Sequence, residues 1–120
     1  MAWDVEFHED FALEFDALDG EVQDELLAHL HLLAEFGPVL GRPWADTLKG
    51  SRHANMKELR FNAADGVWRV AFAFDRRRRA VLLVAGDKSG GSKRRFYKEL
   101  TRKADDRFDR HLSTTKKGKD

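Results

Sequence analysis

NMKELRF at residues 55–61, VWRVAFAF at 67–74 and AVLLVAGDK at 80–88 decide the fold of this 120-residue chain. In the second of these, Trp68, Val70, Phe72 and Phe74 alternate with Arg69, Ala71 and Ala73, the two-residue period of a half-buried strand. The large residues face a core, and Arg69 stands on the opposite face between small neighbours. In the first, Leu59 and Phe61 face the core, which sends Glu58 and Arg60 to that second face. The run 80–85, AVLLVA, is apolar on both faces, as an internal strand is. NAADG at 62–66 reads as a hairpin turn with Gly66 at the position of positive φ, and Arg76, Arg77, Arg78 and Arg79 form an exposed basic tip at the next turn. Register does not follow from sequence, so Arg60 stands either opposite Arg69 or diagonal to it. Two arginines on one sheet face, with alanines leaving the space above them open, describe a shallow anion site. A wet face carrying solvated charges has the same pattern.

Charge separates along the chain. Residues 1–48 hold twelve Asp/Glu against the single basic Arg42, whereas residues 49–120 hold twenty-one Lys/Arg against nine Asp/Glu. A net +1 therefore conceals a basic surface suited to a polyanion, commonly nucleic acid. The length suits one domain with one core, and 36% charged residues imply a strongly solvated surface. Without cysteine there is no disulfide framework and no thiolate metal site. No basic region followed by an apolar run opens the chain, and no apolar run approaches the ~18 residues of a membrane span. The chain reads as soluble and cytoplasmic, with no membrane partner.

Around the three strands the remaining elements fall into place. Residues 3–7 alternate Trp3, Val5 and Phe7 with acidic neighbours, an edge strand guarded by charge. Asp10 suits the cap of a helix carrying Phe11, Phe15 and Leu18, and Asp19-Gly20 breaks it. A second helix spans residues 21–36, with a stripe of Val22, Leu26, Leu30 and Leu33 broadened by Leu27 and Ala34, and Gly37-Pro38 ends it. His29 and His31, two apart, cannot chelate one metal from a helix and read as surface residues. Residues 38–54 read as a connection pinned by Trp44 and Leu48; its His53 is either a proton carrier or a plain loop histidine. The last helix, residues 93–112, buries Phe96, Leu100, Ala104, Phe108 and Leu112, while Lys93, Arg94, Arg95, Lys98, Arg102 and Lys103 crowd its first half against the helix dipole. Residues 113–120 read as a disordered basic tail. The expected fold is α+β: an antiparallel sheet with an N-terminal helical hairpin on one face and the C-terminal helix beside it.

No phosphate loop, dinucleotide fingerprint, HExxH, CxxC or GxSxG occurs, so neither metal nor cofactor is expected. DTLKGSRHANMKELRF at 46–61, GVWRVAFAFD at 66–75 and LLVAGDKSG at 82–90 resemble the RelE/ParE superfamily of type II toxins, most closely its HigB-like, phage-derived branch. The resemblance spans residues 3–112, one toxin domain. It implies a messenger-RNA endonuclease acting at the ribosome by attack of the ribose 2′-OH on the adjacent phosphate. It also implies a cognate antitoxin from the same operon, with a helix-turn-helix domain as the expected form. Carried onto this sequence, it makes Arg60, Arg69, Lys88 and Lys57 the catalytic set; Arg76 and Arg77 of the basic tip and Arg94, Arg95 and Tyr97 of the last helix are the expected substrate-binding residues. Some relatives move protons with a histidine or tyrosine; here Asp87-Lys88 closes the last strand, and Tyr97 is the available substitute. Glu58 is either part of that chemistry or a structural partner of an arginine. Two further readings fit the same fold: a ParE-like protein that poisons DNA gyrase by binding, and a catalytically inactive nucleic-acid-binding regulator.

Overall fold

The computed structural model describes residues 3–117. In chain order the elements are β1 (Asp4–Phe7), α1 (Glu9–Asp16), α2 (Gly20–Phe36), a single 3-10 turn (Gly37–Val39), β2 (Ala45–Thr47), β3 (Met56–Ala63), β4 (Gly66–Phe74), β5 (Arg79–Asp87) and α3 (Lys93–Lys117). The expected α+β arrangement is present. Five strands form one sheet in the order β1-β5-β4-β3-β2. β2 to β5 pair antiparallel, and the short β1 runs parallel to β5 along one edge, Asp4 opposite Arg79. β2 lies inside what the sequence presents as an unpatterned connection; three residues are too few to show a period.

Each face of the sheet carries its own core, where one was expected. Against the first face α1 and α2 bury Phe11, Val22, Leu26 and Leu33 on Leu59, Phe61, Val70, Phe72 and Leu82. His29 belongs to this layer: it is buried and tilts against the Phe61 ring, in place of the expected surface position, while Leu27 is exposed. Against the second face α3 lays Leu100, Ala104 and Phe108 over Met56, Ala71, Ala73, Val81 and Leu83. Ala71 and Ala73 are therefore fully buried, and their small size admits a helix, not an anion. Gly86 extends this close approach, since a Cβ there would sit 2.8 Å from the Phe96 ring. A register shift at Ala71/Phe72 leaves Leu83 without a counterpart on β4 and turns both Leu83 and Val84 toward α3.

Local details depart from the sequence reading for identifiable reasons. His8, not Asp10, caps α1, its Nδ1 accepting the Asp10 N–H at 3.1 Å; burial lowers the pKa of this imidazole and suits it to accept. In the β3–β4 turn Ala64 and Asp65 take positive φ, and Gly66 is needed instead because a Cβ would lie 2.7 Å from the Asp87 carboxylate. Leu48 is buried as expected, but Trp44 is 44% exposed. α3 continues through Lys117, so residues 113–117 are helical; the remainder of the expected tail, 118–120, lies outside the described residues. No helix among the described residues is long and apolar enough to cross a membrane.

Charged clasps fasten α3 to the sheet. Arg107 donates to both Glu14 oxygens at 2.8 and 2.6 Å and to the Leu83 carbonyl at 2.8 Å, joining α1, β5 and α3. Asp105 accepts from Ser51 Oγ and the Arg52 N–H, and Asp109 accepts from Arg52 and, at 2.8 Å, pairs with His53 Nε2. His53 thus serves this clasp. Asp75, its side chain 1% exposed, takes hydrogen bonds from Arg79 Nε and the Arg77 and Arg79 N–H groups, and pairs with His111 Nε2 at 2.9 Å. Burial pushes the Asp75 pKa up, but the bonds from His111 and Arg79 outweigh it, and the carboxyl titrates below its ordinary 3.8. Stability from such a group is complete above the unfolded-chain pKa and is lost as pH falls through the lower folded value. Asp75→Asn is therefore expected to cost about 3 kcal/mol or more at neutral pH. In urea titrations of parent and variant at several pH values, the gap is expected to close below about pH 3.8.

Candidate active site

Strand pairing brings the two arginines into direct opposition. Arg60 faces Arg69 across β3 and β4, and Arg69 in turn faces Gly86 of β5. Like charges directly opposite each other in a sheet repel, so something at this place must accommodate them. Part of the answer is the set of acceptors gathered around one of them. Arg69 is only 6% exposed; its Nη1 donates to the Trp68 carbonyl at 2.9 Å and its Nε to the Tyr97 hydroxyl at 3.2 Å. Glu58, on the same face one register step along, is 5% exposed and stands 3.9 Å from Arg69 Nε. Its Oε1 is buried without a hydrogen-bond partner. Burial pushes the Glu58 carboxyl above its ordinary range, against the pull of the Tyr97 hydroxyl and Arg69. Glu58 is the carboxylate beneath Arg69, the structural partnership that the sequence left open.

Arg60 is the accessible member of the pair, with its side chain 30% exposed. Asp46 of β2 holds it loosely at 3.5 Å while binding Arg42 at 2.9–3.0 Å. The Thr47 N–H, and then Arg42, keep Asp46 well below the usual carboxylate range. Arg42, Pro43, Arg60, Phe61, Asn62 and Arg69 line an open recess of about 400 Å³.

Lys88 follows β5, where its N–H donates to the Val67 carbonyl at 2.8 Å, and its ammonium lies 5.8 Å from the centre of the Tyr97 ring. Burial, then Arg69, Lys93 and Arg60, depress its pKa below the ordinary lysine value. Burial also raises the Tyr97 pKa. The site that forms is Arg60, Arg69, Lys88 and Tyr97, with Glu58 beneath, at the rim where α3 starts. Arg42, Asp46 and Lys93 join it. Lys93 was visible in the sequence only as one of six helix cations, and nothing in the pattern of residues 38–54 marked Arg42 or Asp46.

Other candidates lie elsewhere. Lys57 shares the parity of Leu59 and Phe61, so it points to the first face, where its Nζ donates to the Pro38 carbonyl at 3.0 Å. The alternation that placed Arg60 already excluded it. Arg76 and Arg77 are exposed at the β4–β5 turn, roughly 17 Å of strand from Arg69. The neighbouring arginines of that tip are engaged: Arg78 lies over the Trp3 ring, and Arg79 pairs with Asp75 and Glu6. Arg94 and Arg95 are exposed on the first turn of α3. Arg94 flanks Tyr97 beside Lys98, whereas Arg95 lies about 100° farther round the helix, toward Glu99 and away from Tyr97.

Comparison with known proteins is consistent along most of the chain. The family described as Phage derived protein Gp49-like matches residues 13–109. Two Mycobacterium tuberculosis proteins named as candidate toxins are similar. HigB2 is 42% identical over 99 residues, 82% of this chain and 49% of that protein; HigB3 is 40% identical over 100 residues, 83% and 85% respectively. The chain thus spans about half the length of the first and most of the second. Among solved structures, a mutant of the E. coli toxin RelE in the free state superposes with a TM-score of 0.60 at 14% identity, over 86% of this chain and 97% of that one. An archaeal RelE–RelB complex from Pyrococcus horikoshii gives 0.54 at 17% identity, over 76% and 100%. At such identities the likeness is one of fold.

The burial difference within the arginine pair has a direct test. Arg60→Ala is expected to shift stability by no more than ~0.5 kcal/mol. Arg69→Ala strands Glu58 and is expected to cost about 3–5 kcal/mol. Glu58→Gln in the Arg69→Ala background is expected to restore much of that loss in a urea melt.

Proposed function

The chain belongs to the phage-derived Gp49-like family, and from that premise we propose that it is the toxin of a type II toxin–antitoxin pair, an endoribonuclease that cleaves messenger RNA. The observation that carries this reading is the accessible Arg60 beside the buried, tethered Arg69, with Lys88 at the same rim. Attack of a ribose 2′-OH on its neighbouring phosphate builds negative charge on the phosphoryl oxygens, and fixed cations aimed there lower the barrier. Arg60 and Arg69 hold the non-bridging oxygens, for which a guanidinium offers paired donors. Lys88, its pKa depressed by burial and by neighbouring cations, delivers a proton to the departing 5′ oxygen. The proton of the 2′-OH passes to water as the new bond forms, and the products are a 2′,3′-cyclic phosphate and a 5′-OH end. Tyr97 and Glu58 keep Arg69 in place. Messenger RNA on the ribosome is the proposed substrate. The proposed partner is a small antitoxin that covers the basic rim; a neighbour in fold is a RelE–RelB complex.

Induction in a host cell, followed by mapping of RNA 5′ ends, is expected to reveal new 5′-OH termini. DNA breaks with no new RNA ends would overturn the reading in favour of gyrase poisoning. Arg60→Ala and Lys88→Ala are expected to slow cleavage a hundredfold or more with thermal midpoints close to the parent, because both side chains lie outside the cores. Co-expression with the adjacent small gene is expected to restore growth and yield a co-purifying complex.

A further inference from the structure

Trp44 is 44% exposed, unusual for a residue type that is normally highly buried. Among the described residues its indole has no hydrogen bond, ring–ring or cation–ring contact. Its position follows from strand pairing. Ala45 faces Leu59, and the Arg60 N–H donates to the Trp44 carbonyl at 2.9 Å, which extends the β2–β3 ladder by one residue and sets Trp44 opposite Arg60. Ala45 is fully buried in the first core and Asp46 takes the other face, as its contact with Arg60 shows; Trp44 is the turn residue that leads into β2, and strand parity continued through it directs its indole to the face of Asp46. One row therefore crosses the sheet as Trp44, Arg60, Arg69 and Gly86. Neighbouring members of that row stand about 4.8 Å apart. The recess lined by Arg42, Pro43, Arg60 and Arg69 adjoins it.

We propose that Trp44 is a base-stacking platform: with a phosphate of single-stranded RNA held by Arg60 and Arg69, the nucleobase beside it lies on the Trp44 indole. The proposal rests on the RNA-cleaving reading above and adds to it a subsite that recognises a base through its π face. Cations that track the backbone, interleaved with an exposed aromatic ring, are the chemistry by which single strands are bound without hydrogen-bond readout. A base hangs one sugar away from its phosphate, a spacing of the order of one strand, which is the separation between the Arg60 and Trp44 positions. The exposed ring, costly in water, is then covered when substrate arrives.

The test uses the full chain and a short 2′-O-methyl RNA, which lacks the nucleophile and so reports binding alone. Trp44→Ala is expected to weaken binding between about five- and a hundredfold, with the dependence of log affinity on log salt unchanged, because no phosphate contact is lost. Arg60→Ala is expected to reduce that salt slope by roughly 0.7. Trp44→Phe is expected to retain most of the affinity and Trp44→Leu little. An abasic site walked along the RNA is expected to reproduce the loss in the parent at one position, where Trp44→Ala loses nothing further. Unchanged affinity of Trp44→Ala, in a parent that binds and cleaves RNA, overturns the platform and leaves the nuclease reading standing. So does a loss that adds to every abasic site or is restored equally by Leu, since either assigns the ring to packing or to a protein partner. A parent that binds no RNA removes both readings.

Discussion

A guanidinium buried at the centre of a sheet is the constraint on which the rest of this site depends. Arg69 and Glu58 are 6% and 5% exposed, and one Glu58 oxygen lacks a hydrogen bond. Taking both charges out of water costs several kcal/mol per ion before their attraction is counted. The arrangement persists because α3 is fixed over it. Tyr97 meets Arg69 from α3, and that helix is fastened farther along by Arg107 to Glu14 and the Leu83 carbonyl and by Asp105 and Asp109 to the loop before β3. The clasps lie well away from the rim, yet they set the tolerance of the site. With Arg69 immobile, the freedom that remains belongs to Arg60 and Lys88, the two cations able to move onto a ligand that Arg69 meets from a fixed position.

The same geometry explains why an anion would be welcome. Arg60 opposes Arg69 directly, and Lys88 is discouraged from holding its proton by burial and by Arg69, Lys93 and Arg60. Asp46 relieves part of this strain, but it is shared with Arg42 and sits 3.5 Å from Arg60. A phosphate placed in the recess would neutralise repulsion that the free protein carries. Preorganised donors act in this way, since their reorganisation is complete before the charge appears.

How much of this was legible in the sequence depends on the length of each signal. The alternation of 67–74 and the four-residue spacing of Phe96, Leu100, Ala104 and Phe108 are long enough to name a face, and they named it correctly. Ala71 and Ala73 were informative about size but not about what fills the space above them; a helix and an open site leave the same small residues behind. β2 carries three residues and no period, so the edge that supplies Asp46 had no mark. Lys57 was placed by its likeness to relatives when its own parity pointed elsewhere, and strand parity is the stronger physical statement. His29 packs against Phe61 because an imidazole hydrogen-bonded to its own helix is mostly hydrocarbon surface, a compromise that residue type alone does not reveal.

The two layers on the sheet carry opposite charge. Glu9, Asp16, Asp19, Glu21, Asp24, Glu25 and Glu35 are exposed on or beside α1 and α2, whereas Lys93, Arg94, Arg95, Lys98, Arg102 and Lys103 are exposed along the start of α3. A molecule built this way feels little net pull toward a negatively charged polymer but a strong torque near one. Within about 10 Å, the screening length at 0.1 M salt, the hairpin is pushed outward as the basic rim is drawn in, so a tumbling molecule arrives already turned. The sheet between the layers thereby acts as a compass needle, and added salt would slow productive encounters by blunting alignment before it weakened any contact.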